Sequence, residues 1–118
     1  MYASQDRFAV AQVGAGGACI VAASGELHGT EAASLRDALQ TARDNAALSL
    51  IVDLAAVTFL DSALLAVLAS EAARARLDGG DVVVVTHDPR LERVFEVTGL
   101  GGVVRVERSL REAVSGLR

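Results

Sequence analysis

An aspartate followed by a serine, Asp61-Ser62, stands where an apolar strand, LIVDL at 50–54, gives way through a short connection to a helix. A serine hydroxyl there lies beside backbone N–H groups that lack partners inside the helix, and beside the positive end of the helix dipole. Such a place tolerates a phosphate better than most of a protein surface. Asp and Ser are also preferred N-cap residues, so capping alone is the other reading of the pair. Asp53 closes the strand and is expected to sit near Asp61. Two neighbouring carboxylates can do acid–base work, or they can simply mark a strand end and a cap.

Other chemistry finds less support. His28 lies in a loop before a helix, and His87 lies between a strand and the Asp88-Pro89 cap. Neither has a second ligand type at a metal-binding spacing, so no metal is expected. No G-x-S-x-G elbow surrounds Ser62, and the chain is short for a hydrolase, so no catalytic residue is assigned and the protein is not read as an enzyme. Gly14-Ala15-Gly16-Gly17 lacks the full G-x-G-x-x-G spacing and precedes a strand rather than a helix, which argues against a nucleotide loop and a cofactor. The one cysteine, Cys19, excludes an internal disulfide, and its neighbours Ile20 and Val21 point to a packed, inert thiol.

The chain has 118 residues, read as one domain over 1–118, with enough apolar content (52%) for one core. Aromatic residues are 3%, so Ala, Val, Leu and Ile must build that core. Net charge is −4 with the arginines scattered among acids, so no nucleic acid and no anionic membrane surface is expected as a direct partner. No stretch approaches the ~20 apolar residues that span a bilayer. The start MYASQDRFAV lacks the pattern of a signal peptide, and a cytoplasmic location is expected.

The elements that must position Ser62 follow from periodicity. Strands are expected at 8–13 and 18–24, joined as a hairpin through the glycine cluster. Gly25 to Thr30 reads as a loop, with Thr30 capping a helix whose stripe is Leu35, Ala38, Leu39 and Ala42. LSLIVDL reads as a strand buried on both faces, as in a parallel sheet covered by helices. The helix after Asp61 runs to about Asp78. Leu65, Leu68, Ala72 and Ala75 share its inner face, while Ser70, Glu71, Arg74 and Asp78 share the outer one. Val67 falls on the polar side and Leu64 at its edge, so both are expected in a contact patch beside Ser62. A buried strand DVVVV, a helix opened by Asp88-Pro89 with the stripe Leu91, Val94 and Phe95, and a stop at Thr98-Gly99-Leu100 follow. A short strand VVRV and a helix with the capping box Ser109 to Glu112 close the chain. The fold class is α/β: a mixed sheet of about five strands with an initial hairpin and about four helices.

The order of these pieces resembles the STAS domain, in particular the small bacterial anti-sigma-factor antagonists. The resemblance covers about residues 8 to 115. Gly25-Glu26-Leu27 is similar to the family's G-E-L-D segment, with His28 where Asp is usual. Asp53 and Asp61-Ser62 match the end of the central strand and the phosphoacceptor site, and Thr98-Gly99-Leu100 matches the stop of the third helix. The resemblance implies a partner switch. The unmodified protein would bind an anti-sigma factor that is also a serine kinase. Phosphorylation at Ser62 would turn binding off, and a serine phosphatase would reverse it. ATP and magnesium would belong to the kinase. Asp53, Asp61, Ser62, Ala63, Leu64 and Val67 would lie at or near the docking surface of a monomer or weak dimer.

Such antagonists usually read D-S-[ST]-G-L-G after the strand, whereas this chain reads Asp61-Ser62-Ala63-Leu64-Leu65-Ala66. Replacing two glycines stiffens the helix start by up to about 1 kcal/mol per position. Leu64 is expected to obstruct a partner that needs close backbone approach. The altered run is also compatible with a cytoplasmic STAS subunit of an ABC-type lipid or solute transporter, or with a scaffold subunit of a stress-sensing complex.

Overall fold

Four consecutive valines, Val82–Val85, form a strand buried on both faces, and the sheet is built outward from it. β-branched side chains fit a pleated surface covered on both sides. The computed structural model of the chain describes residues 8–13, 18–44 and 49–117. The elements are β1 (Phe8–Val13), β2 (Ala18–Leu27), a 3-10 turn (Gly29–Glu31), α1 (Ala32–Asp44), β3 (Ser49–Leu60), α2 (Ser62–Leu77), β4 (Val82–Val85), α3 (Pro89–Val97), a second 3-10 turn (Leu100–Gly102), β5 (Arg105–Glu107) and α4 (Leu110–Ser115). They make a mixed five-stranded sheet, in the order β1-β2-β3-β4-β5, with four helices.

β1 pairs antiparallel with β2, as a hairpin requires, while the other three pairings are parallel. The glycine cluster expected to turn the hairpin lies outside the described residues. Helices α1, α2 and α3 cover one face, where Leu39, Leu64, Leu68 and Phe95 pack on Val21, Val52, Leu54 and Val84. α4 covers the other face through Ala113, against Ile51, Val83 and Val85. Alternation along β3 thus sends Val52 and Leu54 toward the three helices and Ile51 toward α4.

Two elements run further than the sequence pattern indicates. β2 continues through Gly25, Glu26 and Leu27, the stretch expected to be a loop. β3 continues six residues past Leu54, so no separate connection precedes the helix. The cause is pairing: Ser24, Gly25, Glu26 and Leu27 lie opposite Ala56, Val57, Phe59 and Leu60, with two register shifts on the way. Each shift puts an extra residue in β3, and such bulges break the period-2 signature of a strand. Beyond Asp53, β3 has also left β4 behind, because their pairing ends at Asp53 and Val85.

Candidate functional site

β3 ends at Leu60 and α2 begins two residues later, so Asp61 alone makes the bend. Its backbone is extended (φ −72, ψ 151), and its N–H donates to the Leu27 carbonyl at 2.9 Å, tying the bend to the end of β2. The Ala63 N–H donates to Asp61 Oδ1 at 2.9 Å, and the Leu64 N–H donates to the Asp61 carbonyl at 3.0 Å. Asp61 is therefore the N-cap of α2 in full. These bonds correct the expectation of unpartnered N–H groups beside Ser62, since Asp61 already occupies two of them.

Ser62 is the first residue of the helix and is exposed. Its hydroxyl donates to Asp61 Oδ1 over 3.4 Å, a long bond that leaves the oxygen open to solvent on its other sides. Ala63 is half-buried against the turn that follows β2. A Cβ placed on Gly29 would lie 3.6 Å from Asp61 Oδ2 and 3.8 Å from the Ala63 Cβ, so the turn lies beside the cap with room for one methyl group between them. His28 opens that turn in place of the expected Thr30. Its N–H donates to Glu31 Oε1 at 2.7 Å, and its Nε2 lies 3.0 Å from Glu26 Oε1. The imidazole rests on Phe59 with ring centroids 5.1 Å apart. Phe59 is 45% exposed, and it is the large apolar side chain that β3 shows to solvent here.

The structure thus brings Asp61, Ser62 and Ala63 together with His28, Gly29 and Phe59. Sequence reasoning weighed His28 as a metal ligand, set that aside and otherwise took it as a departure from a motif, and it missed Phe59. The usable signal was the pairing of Gly25-Glu26-Leu27 with the end of β3, which alternation alone does not reveal.

Three sequence expectations are corrected. Leu64 and Val67 are not part of an exposed patch, being 0% and 1% exposed in the core. α2 buries Leu64, Leu65, Val67, Leu68, Glu71, Ala72 and Ala75, which at about 100° per residue span an arc of roughly 160° centred close to Leu64. The arc is this wide because α2 packs both on the sheet and on α1. Glu71, expected on the outer face, is 3% exposed and lies 3.0 Å from the Arg43 guanidinium of α1. The outward face that continues from Ser62 carries Ala66, Ser70, Ala73 and Leu77 instead. Third, Asp53 does not meet Asp61. It lies opposite Ala22, while Leu60 lies opposite Leu27, and those five residue steps along β2 span roughly 17 Å. Asp53 shares the α4 side of the sheet with Ile51, and its carboxylate accepts the Ala55 N–H at 3.0 Å. The acid–base pairing of the two aspartates is not formed.

Arg90, bonded through its side chain and its backbone N–H, holds the Asp88 carboxyl below the usual carboxylate range. Burial pushes the Cys19 thiol up, as its fully buried place beside the Ala42 carbonyl requires.

An α/β sandwich with a hairpin edge, and an aspartate-capped serine where the third strand turns into the second helix, define a class. The chain matches the STAS domain family model over residues 9–113 and belongs to that family. It is 33% identical over 95 residues to Rv2638 of Mycobacterium tuberculosis, whose name places it provisionally among anti-anti-sigma factors. That match takes in 79% of this chain and 64% of the relative, so the chain spans less than two thirds of the relative's length. A crystal structure of an anti-sigma factor antagonist from Mycobacterium paratuberculosis superposes with TM-score 0.81 at 27% identity, covering 98% of this chain and 97% of that one. The Bacillus cell fate determinant SpoIIAA superposes with TM-score 0.72 in its phosphorylated form, at 20% identity over 94% of this chain and 99% of its own. Its unphosphorylated form gives 0.73, at 18% identity over 93% and 99%. Among the described residues, no helix is long and apolar enough to cross a membrane.

Proposed function

We propose that the chain is a cytoplasmic anti-sigma-factor antagonist that docks through the surface around Ser62 and is released when that serine is phosphorylated. The observation that carries this reading is the exposed Ser62 hydroxyl, held at the first turn of α2 beside the Asp61 carboxylate. The names of the relatives support the same class.

The partner is an anti-sigma factor with serine-kinase activity, and a serine phosphatase restores the docking form. Asp61, Ser62 and Ala63 form the centre of the docking surface, and Ala66 extends it along the next turn. Leu64 forms no obstacle to this docking, because it points into the core. ATP and magnesium are the kinase's reagents, and this chain supplies only the hydroxyl.

A phosphate on Ser62 adds about −1.5 to −2 charge next to a carboxylate. Attraction to the helix start offsets only about 0.3–2 kcal/mol of the resulting repulsion. Enclosing an unpaired dianion in a dry interface costs several kcal/mol, and about 1.4 kcal/mol is tenfold in affinity. The effect on docking therefore exceeds the effect on the fold. The two SpoIIAA forms, which superpose on this chain almost equally well, are consistent with a fold that survives modification in that protein.

The test is phosphate transfer. The chain is incubated with ATP, magnesium and the anti-sigma-factor kinase of its own organism, and read by intact mass and fragment mapping. One phosphate is expected, on Ser62, and none on Ser62→Ala. Equal labelling of the two proteins would sink the proposal. Co-purification with a permease and its ATPase would point to the transporter role instead.

A further inference from the structure

We propose that His28 is the group that receives a phosphoryl on Ser62, exchanging Glu26 for the phosphate; this rests on the reading that Ser62 is modified. Two segments meet at the switch, Glu26–Glu31 from the end of β2 and Phe59–Ala63 from the end of β3. Their ionisable side chains are the carboxylates of Glu26, Glu31 and Asp61 and one base, the imidazole of His28.

The helix start gives a phosphate on Ser62 little relief. Asp61 already accepts the N–H groups of Ala63 and Leu64, through its side chain and its carbonyl. Asp61 Oδ1 also lies only 3.4 Å from the oxygen that would carry the phosphoryl. A dianion on Ser62 therefore needs a counter-charge from outside the helix.

Arg74 and Arg76 stand 12 and 14 residues along α2, about 18–21 Å away at 1.5 Å per residue. Arg43 is engaged with Glu71. On α1, Arg36 is exposed and Asp37 stands beside it in sequence.

His28 is placed differently. Its backbone is held next to the cap by the Glu31 carboxylate and by the Leu27–Asp61 bond. Its side chain is 54% exposed, and its contact with Glu26 is a surface one, which a rotation can break at little cost. Histidine is the side chain that changes charge between about pH 5 and 8, the range in which a phosphomonoester takes its second negative charge. Phe59 supports the ring in the resting state. Once the imidazole swings to the phosphate, Phe59 loses that cover, so the modification also alters the apolar part of the surface beside it.

The experiment installs phosphoserine at position 62 during translation and follows the phosphate by phosphorus NMR against pH. A neighbouring cation favours the dianion, so the second ionisation is expected about one pH unit lower in the wild type than in His28→Ala. His28→Arg is expected to restore the low midpoint, and Arg36→Gln to leave it unchanged, with amide spectra confirming that each variant is folded. Equal midpoints in wild type and His28→Ala, or a shift that follows Arg36→Gln instead, would overturn the assignment. Because the phosphate is installed without a kinase, this outcome is independent of whether Ser62 is modified in the cell, which the transfer assay decides.

Discussion

Asp61 does two jobs with one side chain: it caps α2 and accepts a bond from the Ser62 hydroxyl. Losing the cap should cost about 1 kcal/mol, so Asp61→Ala is expected to lower the urea midpoint by that equivalent. Asp61→Asn, which keeps an acceptor oxygen, should lose far less. A second residue-scale prediction concerns Cys19. Burial raises its thiol above the ordinary value of 9.0, so the unfolded chain ionises first as pH climbs. The thiol's contribution is then complete below that value and lost as pH rises through the folded-state value. Urea unfolding of the wild type should show stability falling with pH above 9.0, and Cys19→Ala should remove that slope. An identical slope in the variant would refute the assignment.

The second helix is where element-level reasoning gained and lost most. Its start, its length and the residues Leu65, Leu68, Ala72 and Ala75 of its inner face were legible, because capping and a 3.6-residue period are local. The width of the buried arc was not, because it depends on α1 lying alongside, which no local pattern encodes. Leu64 and Val67 therefore belong to stability rather than to docking. Leu64→Ala is expected to cost about 2–5 kcal/mol in denaturant unfolding, whereas Ala66→Glu should change stability by less than about 0.5 kcal/mol and weaken partner capture. Glu71 looked like a surface acid for the same reason. Its burial is tolerated because Arg43 of α1 faces it at 3.0 Å. Removing one member leaves a buried charge, so Glu71→Ala should lose about 3–5 kcal/mol, while the double change Arg43→Met with Glu71→Met should recover most of it. A double variant as unstable as Glu71→Ala would contradict that account. The strand β3 taught a different lesson. Its buried first half was plain in the sequence, but its two bulged shifts against β2 hid the second half and carried Asp53 away from Asp61.

At the scale of the molecule, the mixed sheet and helix order were legible because hairpin, parallel strands and caps each leave a local mark. The neighbourhood of Ser62 was legible only in part, since the turn at His28 and the ring of Phe59 reach it through strand pairing. The sheet and its helices hold the bend between β3 and α2 from beneath, while the Ser62 side faces solvent. On the proposed reading, a phosphate there would add charge without disturbing packing, and its consequence would fall on whatever covers the face. The most direct measurement is calorimetric binding of the anti-sigma factor of the same organism to the chain with serine and with phosphoserine at position 62. The account predicts tight binding of the unmodified chain and a loss of at least about a hundredfold, near 2.7 kcal/mol, on phosphorylation. Equal affinity for the two forms would contradict it.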